Sequence, residues 1–266
     1  MQNQENCYEN VWILSGTSDG PALAQRFLAL NYSVFVSVVS YKASTVYDEN
    51  SKLHIITGEL SNIKEFKDFI LLNKIHHVID ATHPFAIKVS EYLYEACLEL
   101  SKPVFIFERY YSKNPSNNKF KEISDLKGIN GVQLKNKNLL LAIGSRSLEN
   151  TAQYYLNLGA NVFTRIISTP KSISTALSSC IKNSNIAILN PIKNQDNNLE
   201  MYLCRFWQID YILCRDSGGY SQMSWEQVSL KNNIKLFLLK RPKIILNELV
   251  FSNYDLLVDT IVNFKK

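Results

Sequence analysis

The sequence predicts an α/β protein made of two Rossmann-like domains with parallel sheets and a ligand cleft between them. Three observations carry this. Short apolar runs alternate with stretches of helical period along most of the 266 residues. The runs are continuous, as in Val11-Trp12-Ile13-Leu14, which is how a strand reads when both of its faces are covered. A polar, weakly periodic stretch from Ser112 to Asn138 interrupts the alternation, so the division falls into domains at 1–135 and 136–266.

In the first half the strand at Val11–Leu14 ends at Gly16. A helix follows from about Pro21, with Leu23, Phe27 and Leu30 on one face and Asn31 closing its end. Val34 to Val39 and Leu53 to Thr57 are the next strands. Ser61 is expected to cap a helix bearing Ile63, Phe66 and Ile70. Val78 to Ala81 is a strand, a helix runs from Pro84 toward Leu100, and Pro103 to Glu108 closes the unit. In the second half the strands are Leu139–Ile143, Asn161–Ile167, Ile186–Leu189, Tyr211–Cys214 and Leu236–Leu239. The helices fall from about Leu148, at Ser172–Cys180, Leu199–Trp207 and Trp225–Leu230, and at Tyr254–Phe264. Alternation of this kind implies right-handed βαβ units. No repeat is visible as residue identity between the halves.

Composition narrows the classes. An apolar share of 46% excludes a disordered chain. Met1 to Asn10 lacks the layout of a signal peptide, and no apolar run approaches the ~20 residues of a membrane span, so a soluble cytoplasmic protein is expected. Cys7, Cys97, Cys180, Cys204 and Cys214 are scattered without metal-binding spacing and read as reduced thiols; with four histidines, no metal site is expected. A net charge of +5, dispersed, suits an acidic small ligand and shows no nucleic-acid footprint.

In parallel sheets, ligands lie beyond the carboxyl ends of the strands. Gly16-Thr17-Ser18-Asp19-Gly20 follows the first strand and offers a tight turn and a helix N-terminus to a phosphate, although it is not GxGxxG; an ordinary turn capped by Ser18 or Asp19 explains it equally well. Ser40-Tyr41-Lys42 ends the second strand without an acid, which tolerates a ribose 2′-phosphate, or is a solvated loop. Asp80-Ala-Thr82-His83-Pro84-Phe85 sets an acid, a hydroxyl and an imidazole at a strand end; His83 as a donor and His83 as a local cap both fit. Arg215-Asp216-Ser217-Gly218-Gly219 lets a ligand approach the backbone closely. Arg109, Arg146, Arg165 and Arg215 lie in or after strands, and their forks suit carboxylates if they converge; singly, each reads as a surface ion-pair partner. No G-x-S-x-G elbow occurs.

In order along the chain, these stretches resemble the precorrin-6A reductase family, its cobalt-precorrin-6A members included. The matching residues are Ile13-Leu-Ser-Gly-Thr-Ser-Asp-Gly20, Gly58, Val78 to Ala86, Phe107-Glu-Arg109, Ala142-Ile-Gly-Ser145, Arg165 with Thr169-Pro170, Asp216 to Gly219, and Lys240-Arg-Pro242. The resemblance covers nearly the whole chain. It implies NADPH (or NADH) in the N-terminal domain, held by Gly16, Thr17, Ser18, Asp19, Ser40, Lys42, Thr82, His83 and Pro84. It implies a tetrapyrrole substrate at the second domain, met by Arg109, Gly144, Ser145, Arg146, Arg215, Ser217, Gly218 and Gly219. Hydride would pass to a ring carbon of precorrin-6A, and Asp216 or a water would deliver the proton to its neighbour. The resemblance also admits neighbouring enzymes of the pathway as partners, while nucleic acid and membrane are not expected.

Departures fall on the presumed ligand face: Asn190-Pro191-Ile192 where the family has Gly-Pro-Phe, Arg215 where it has lysine, no further glycine after Gly219, and Tyr41 or Lys42 where an acid is usual. They keep a non-catalytic tetrapyrrole-binding relative in view. A small-substrate dehydrogenase is disfavoured by the dispersion of the polar strand ends.

Overall fold

The computed structural model describes residues 9–109, 119–190, 198–242 and 249–264. The chain divides into two compact units. One is formed by residues 1–110 with 242–266, the other by residues 111–241.

Unit 1 carries β1 (Asn10–Ser15), α1 (Asp19–Ala29), β2 (Ser33–Val38), a short α2 (Tyr41–Ser44), β3 (Leu53–Thr57), α3 (Ile63–Leu72), β4 (His77–Ala81), α4 (Ile87–Glu99) and β5 (Val104–Phe107). The sheet runs β3-β2-β1-β4-β5 and is parallel throughout. The apolar run in β1 is continuous because both faces are buried. Val11 and Ile13 pack with Leu23 and Phe27 of α1, whereas Trp12 and Leu14 pack with Phe66 and Ile70 of α3 and Leu93 of α4. Asn31, at φ 69°, closes α1 in the left-handed region as its sequence position suggested. The cap of α3 is Asn62, whose side chain accepts from Glu65 N, and Ser61 instead gives its N–H to the Glu65 carboxylate. Asn is as good a cap as Ser, and only Asn62 stands at the residue preceding the helix. α4 starts at Ile87, three residues beyond Pro84, because residues 83–86 form a turn closed by Ala86 N on His83 O at 2.7 Å.

Unit 2 carries β6 (Phe120–Ile123), β7 (Asn138–Ala142), α5 (Leu148–Asn157), β8 (Asn161–Ile166), α6 (Pro170–Leu177), β9 (Ile186–Ile188), α7 (Asn198–Phe206), β10 (Tyr211–Arg215), α8 (Tyr220–Asn232) and β11 (Lys235–Leu239). Its sheet runs β9-β8-β7-β10-β11-β6, also parallel. The chain then enters β12 (Val250–Phe251), which pairs with β5 and completes the first sheet, followed by α9 (Tyr254–Val262). Leu257, Val258 and Ile261 of α9 lie in the core shared with α1.

The sequence division at 135/136 therefore differs from the compact units at both ends. Residues 120–123, inside the stretch read as a linker, form an edge strand of unit 2, and residues 249–264 belong to unit 1. The strands that enter the sheets, Phe120–Ile123 and Val250–Phe251, are short edge strands, the first with two charges and the second of two residues, so neither stands out as an apolar run. Residue identity hides a repeat that topology reveals: in each sheet the first three strands of the βα series run outward one way, and the fourth and fifth start again from the first. Each sheet thus has one switch point, between β1 and β4 in unit 1 and between β7 and β10 in unit 2.

Candidate active site

At the first switch point the turns after β1 and β4 touch. Gly16 N donates to Ala81 O at 3.2 Å, and a Cβ on Gly16 would stand 2.8 Å from His83 N, closer than such atoms come. Glycine is required there so that the two turns can share the space. Thr17 Oγ1 donates to Asp19 Oδ2 at 2.7 Å. Ser18 precedes α1 and makes no side-chain cap, so the first turn of the helix keeps N–H groups for another acceptor. Asp19 is buried at 5% exposure, yet it is a carboxylate in that same positive first turn. Arg109 Nε lies 2.7 Å from its Oδ2, Tyr254 Oη donates to its Oδ1 at 2.6 Å, and Arg109 also donates to Ser18 Oγ at 2.8 Å. Burial, and after it the bond to Asp19, pushes the Tyr254 phenol up to about 12.

The turn after β4 rests on a buried polar network. Asp80 accepts from Thr82 N (3.0 Å) and from Tyr94 Oη (2.8 Å), and Thr82 Oγ1 is 3.2 Å from Ser90 Oγ. Burial first and the Asp80 charge second push the Tyr94 phenol far up, so it stays a donor. His83 Nδ1 accepts from Phe85 N at 3.2 Å, which leaves Nε2 as the ring's protonated nitrogen when neutral. Ser40 caps α2 by accepting from Ala43 N, and Lys42 is exposed on that helix, beyond the end of β2.

At the second switch point Gly144 has φ +77°, a conformation that favours glycine. Arg215 Nη2 donates to Ser147 Oγ at 3.1 Å, and Ser145 Oγ is 3.3 Å from Ser172 Oγ. Burial holds the Arg215 guanidinium below its usual range, and the like charge of Arg146 adds to this. Ser217 N closes on Arg215 O, and Gly218 N donates to Gln222 Oε1 at 2.7 Å, which turns the chain into α8 at Gly219. Asp216 is buried at 8% exposure; Arg241 Nε donates to its carbonyl at 2.8 Å and stands 3.7 Å from its Oδ2. Burial raises the Asp216 carboxyl above the usual range, against the opposing pull of Arg241 and Gln222.

A family model described as "Precorrin-6x reductase CbiJ/CobK" matches residues 10–261. The chain belongs to the precorrin-6x reductase family. It is similar to the cobalt-precorrin-6A reductases of Synechocystis sp. (26% identical, 88% of this chain and 89% of that one) and Methanocaldococcus jannaschii (26%, 96% and 99%). It is also similar to the precorrin-6A reductase of Rhodobacter capsulatus, 27% identical over 52% of this chain and 54% of that one. Among solved structures, one titled "CobK precorrin-6A reductase" superposes with a TM-score of 0.76 at 16% identity, covering 96% of both chains, so the fold is shared.

Within this reductase the two switch points gather most of the residues read from the sequence. Gly16 to Asp19 and Thr82 to Pro84 meet in unit 1; Gly144 to Arg146 and Arg215 to Gly219 occupy the switch point of unit 2. Arg109, expected at the substrate, is engaged by Asp19 and Ser18 of unit 1. Pro191 and Ile192 of the departing motif lie outside the described residues, as does Cys7; the described cysteines are free thiols. Sequence reading gave no site role to Ser147, Gln222, Tyr254 or the Asp80–Tyr94 pair, nor to Arg241, although Lys240-Arg-Pro242 is among the matching stretches. Arg241 stands two residues beyond β11, so applying the strand-end rule to that strand would have found it. Among the described residues no cluster of His, Cys, Asp and Glu is suited to a metal, and no helix is long and apolar enough to cross a membrane.

Proposed function

We propose that this reductase uses NADPH to reduce one ring double bond of precorrin-6A, or of its cobalt complex, to the 6B form. The observation that carries the reading is the pair of switch points: one an uncapped helix start beside a tight glycine turn, the other a half-buried Arg215 with the exposed Arg146 near it. The first suits a nucleotide diphosphate and the second a substrate bearing carboxylates.

The residues of unit 1 fit a pyridine nucleotide. Free N–H groups at the start of α1 receive phosphate oxygens, and Arg109 and Tyr254 neutralise Asp19 so that it does not repel them. Ser40 and the exposed Lys42 flank the ribose position, where the lack of an acid favours the 2′-phosphate of NADPH over NADH. The Thr82–Pro84 turn, held from beneath by Asp80, orients the reactive ring. When bound, the cofactor supplies a hydride to one ring carbon. Arg146, Arg215 and the Ser217 side chain hold substrate carboxylates at the turn through Gly218 and Gly219, and Asp216, whose carboxyl burial shifts toward its protonated form, gives the proton to the adjacent carbon.

Titration of the purified protein with NADPH and NADH, followed by spectra with precorrin-6A and its cobalt form, tests this. Tighter NADPH binding, with macrocycle-dependent loss of the reduced-nicotinamide absorbance, is the expected result. Macrocycle binding without nucleotide oxidation would sink it in favour of a non-catalytic tetrapyrrole binder.

A further inference from the structure

We propose that Arg165 is a specificity-determining residue of this reductase, receiving one carboxylate of the macrocycle's acidic side chains. The inference rests on the reading above, in which unit 2 holds the substrate.

Arg165 is the penultimate residue of β8, beside β7, so it lies at the carboxyl end of the sheet where ligands of parallel sheets bind. Strand alternation sets it on the face of Phe163, which packs against Cys204 and Trp207, and away from Thr164, whose hydroxyl bonds the Leu141 carbonyl. That face brings it beneath the start of α7.

There it is buried at 8% exposure with its charge poorly met. Among the described residues the Nε hydrogen finds no acceptor. The carboxylate facing it is Glu200, with Oε1 3.9 Å from Nη2, an ion-pair distance too long for a hydrogen bond. Arg109 and Arg241 each commit Nε at 2.9 Å or less, to Asp19 and to the Asp216 carbonyl; Arg165 does not.

A guanidinium out of water with an unmet donor destabilises the fold, because a buried donor left unsatisfied keeps its full desolvation penalty. Burial pulls its pKa down and Glu200 pulls it back, yet arginine stays protonated at neutral pH. An apolar side chain would pack there at lower cost. A ligand carboxylate resolves the conflict, because its two oxygens can take the Nε–H and a terminal N–H together. Glu200 then serves as the counter-charge that aims the fork while no ligand is bound. The acetate and propionate arms of a tetrapyrrole present such carboxylates, and a small keto substrate does not.

R165M, R165K and E200Q decide this with three readouts: thermal denaturation, NADPH affinity, and binding and turnover of precorrin-6A. For R165M, KM and the cofactor-free Kd for precorrin-6A should rise about 10- to 100-fold, with NADPH affinity unchanged and Tm no lower. R165K, which keeps the charge but loses the fork, should lie between, and E200Q should leave the macrocycle Kd within about twofold, well short of a single lost charged hydrogen bond. A macrocycle Kd in R165M equal to wild type would overturn the inference. So would an E200Q variant as impaired as R165M, since Arg165 would then be a strut for α7. Should R165M fail to fold, R165K and E200Q carry the same decision. A wild-type protein that neither binds nor reduces the macrocycle overturns the functional reading and this inference with it, whereas an active wild type with unaffected variants overturns this inference alone.

Discussion

Arg109 Nε lies 2.7 Å from Asp19 Oδ2, so the residue two positions beyond β5 neutralises a carboxylate placed in the first turn of α1. On the proposed function, the contact lets an acid occupy the helix start to which a nucleotide phosphate is assigned. The helix start stabilises Asp19, Arg109 cancels its charge, and the free N–H groups remain available.

Loss of Arg109 should therefore weaken nucleotide binding without touching the substrate. Removing one partner of a buried pair costs about 3–5 kcal/mol. Arg109 is 22% exposed and Tyr254 still donates to Asp19, so we expect about 2 kcal/mol of stability lost in R109M. The Kd for NADPH should rise about tenfold, equivalent to one charged hydrogen bond. Adding D19N to R109M should recover most of both. A double-mutant cycle read by thermal denaturation and nucleotide titration checks this, and additive effects of the two substitutions would refute the coupling.

Gly16 gives a second test. A methyl group 2.8 Å from His83 N meets backbone, which cannot swing aside, so G16A must separate the turns after β1 and β4. We expect about 1–3 kcal/mol of destabilisation from overpacking and a larger proportional loss of NADPH affinity than of macrocycle affinity. Equal losses of the two affinities would mean that the turns do not form a nucleotide site.

Much of this was legible in the sequence because parallel strands buried on both faces announce themselves as apolar runs, and ligand residues follow them directly. That rule picks out the Gly16 turn, Thr82 to Pro84 and Asp216 to Gly219, and the structure sets the first two against each other and the third at the other switch point. What stayed hidden depends on distance along the chain. Tyr254 reaches Asp19 across a separation of 235 residues, and no local pattern marks it. β6 and β12 are edge strands of four and two residues, too short to carry periodicity. Arg165 looked like a surface ion-pair partner, because composition cannot tell a buried guanidinium from an exposed one.

The N-terminal edge of unit 1 holds a pH-sensitive contact remote from the site. His77 Nε2 is 2.9 Å from the Glu9 carboxylate. Burial works against the charge on Glu9, but the His77 bond, with the charges of His77 and His76, outweighs it and leaves the carboxyl below its ordinary 4.5. A carboxyl depressed in the folded state contributes stability that is complete above the unfolded value and fades as pH falls through the folded one. E9Q should thus lower Tm by about 1–3 °C at neutral pH. The difference should vanish on acidification below 4.5. A gap between E9Q and wild type that persists in acid would assign the effect to packing.

Asp216 carries the opposite sign. Its carboxyl is raised by burial, so its contribution to stability is present below the usual 3.8 and is lost as pH rises through the raised folded value. D216N removes that loss, and Arg241 keeps its bond to the Asp216 carbonyl because the backbone is unchanged. At neutral pH the variant should therefore melt no lower than wild type. Its kcat should nonetheless fall about 100-fold, the usual contribution of a positioned acid, with KM for both ligands little changed. In wild type kcat should decline as pH rises and Asp216 ionises, and D216N should lack that limb. If D216N turns over at the wild-type rate with the limb intact, the proton comes from water, and Asp216 serves to hold Arg241 and the turn into α8.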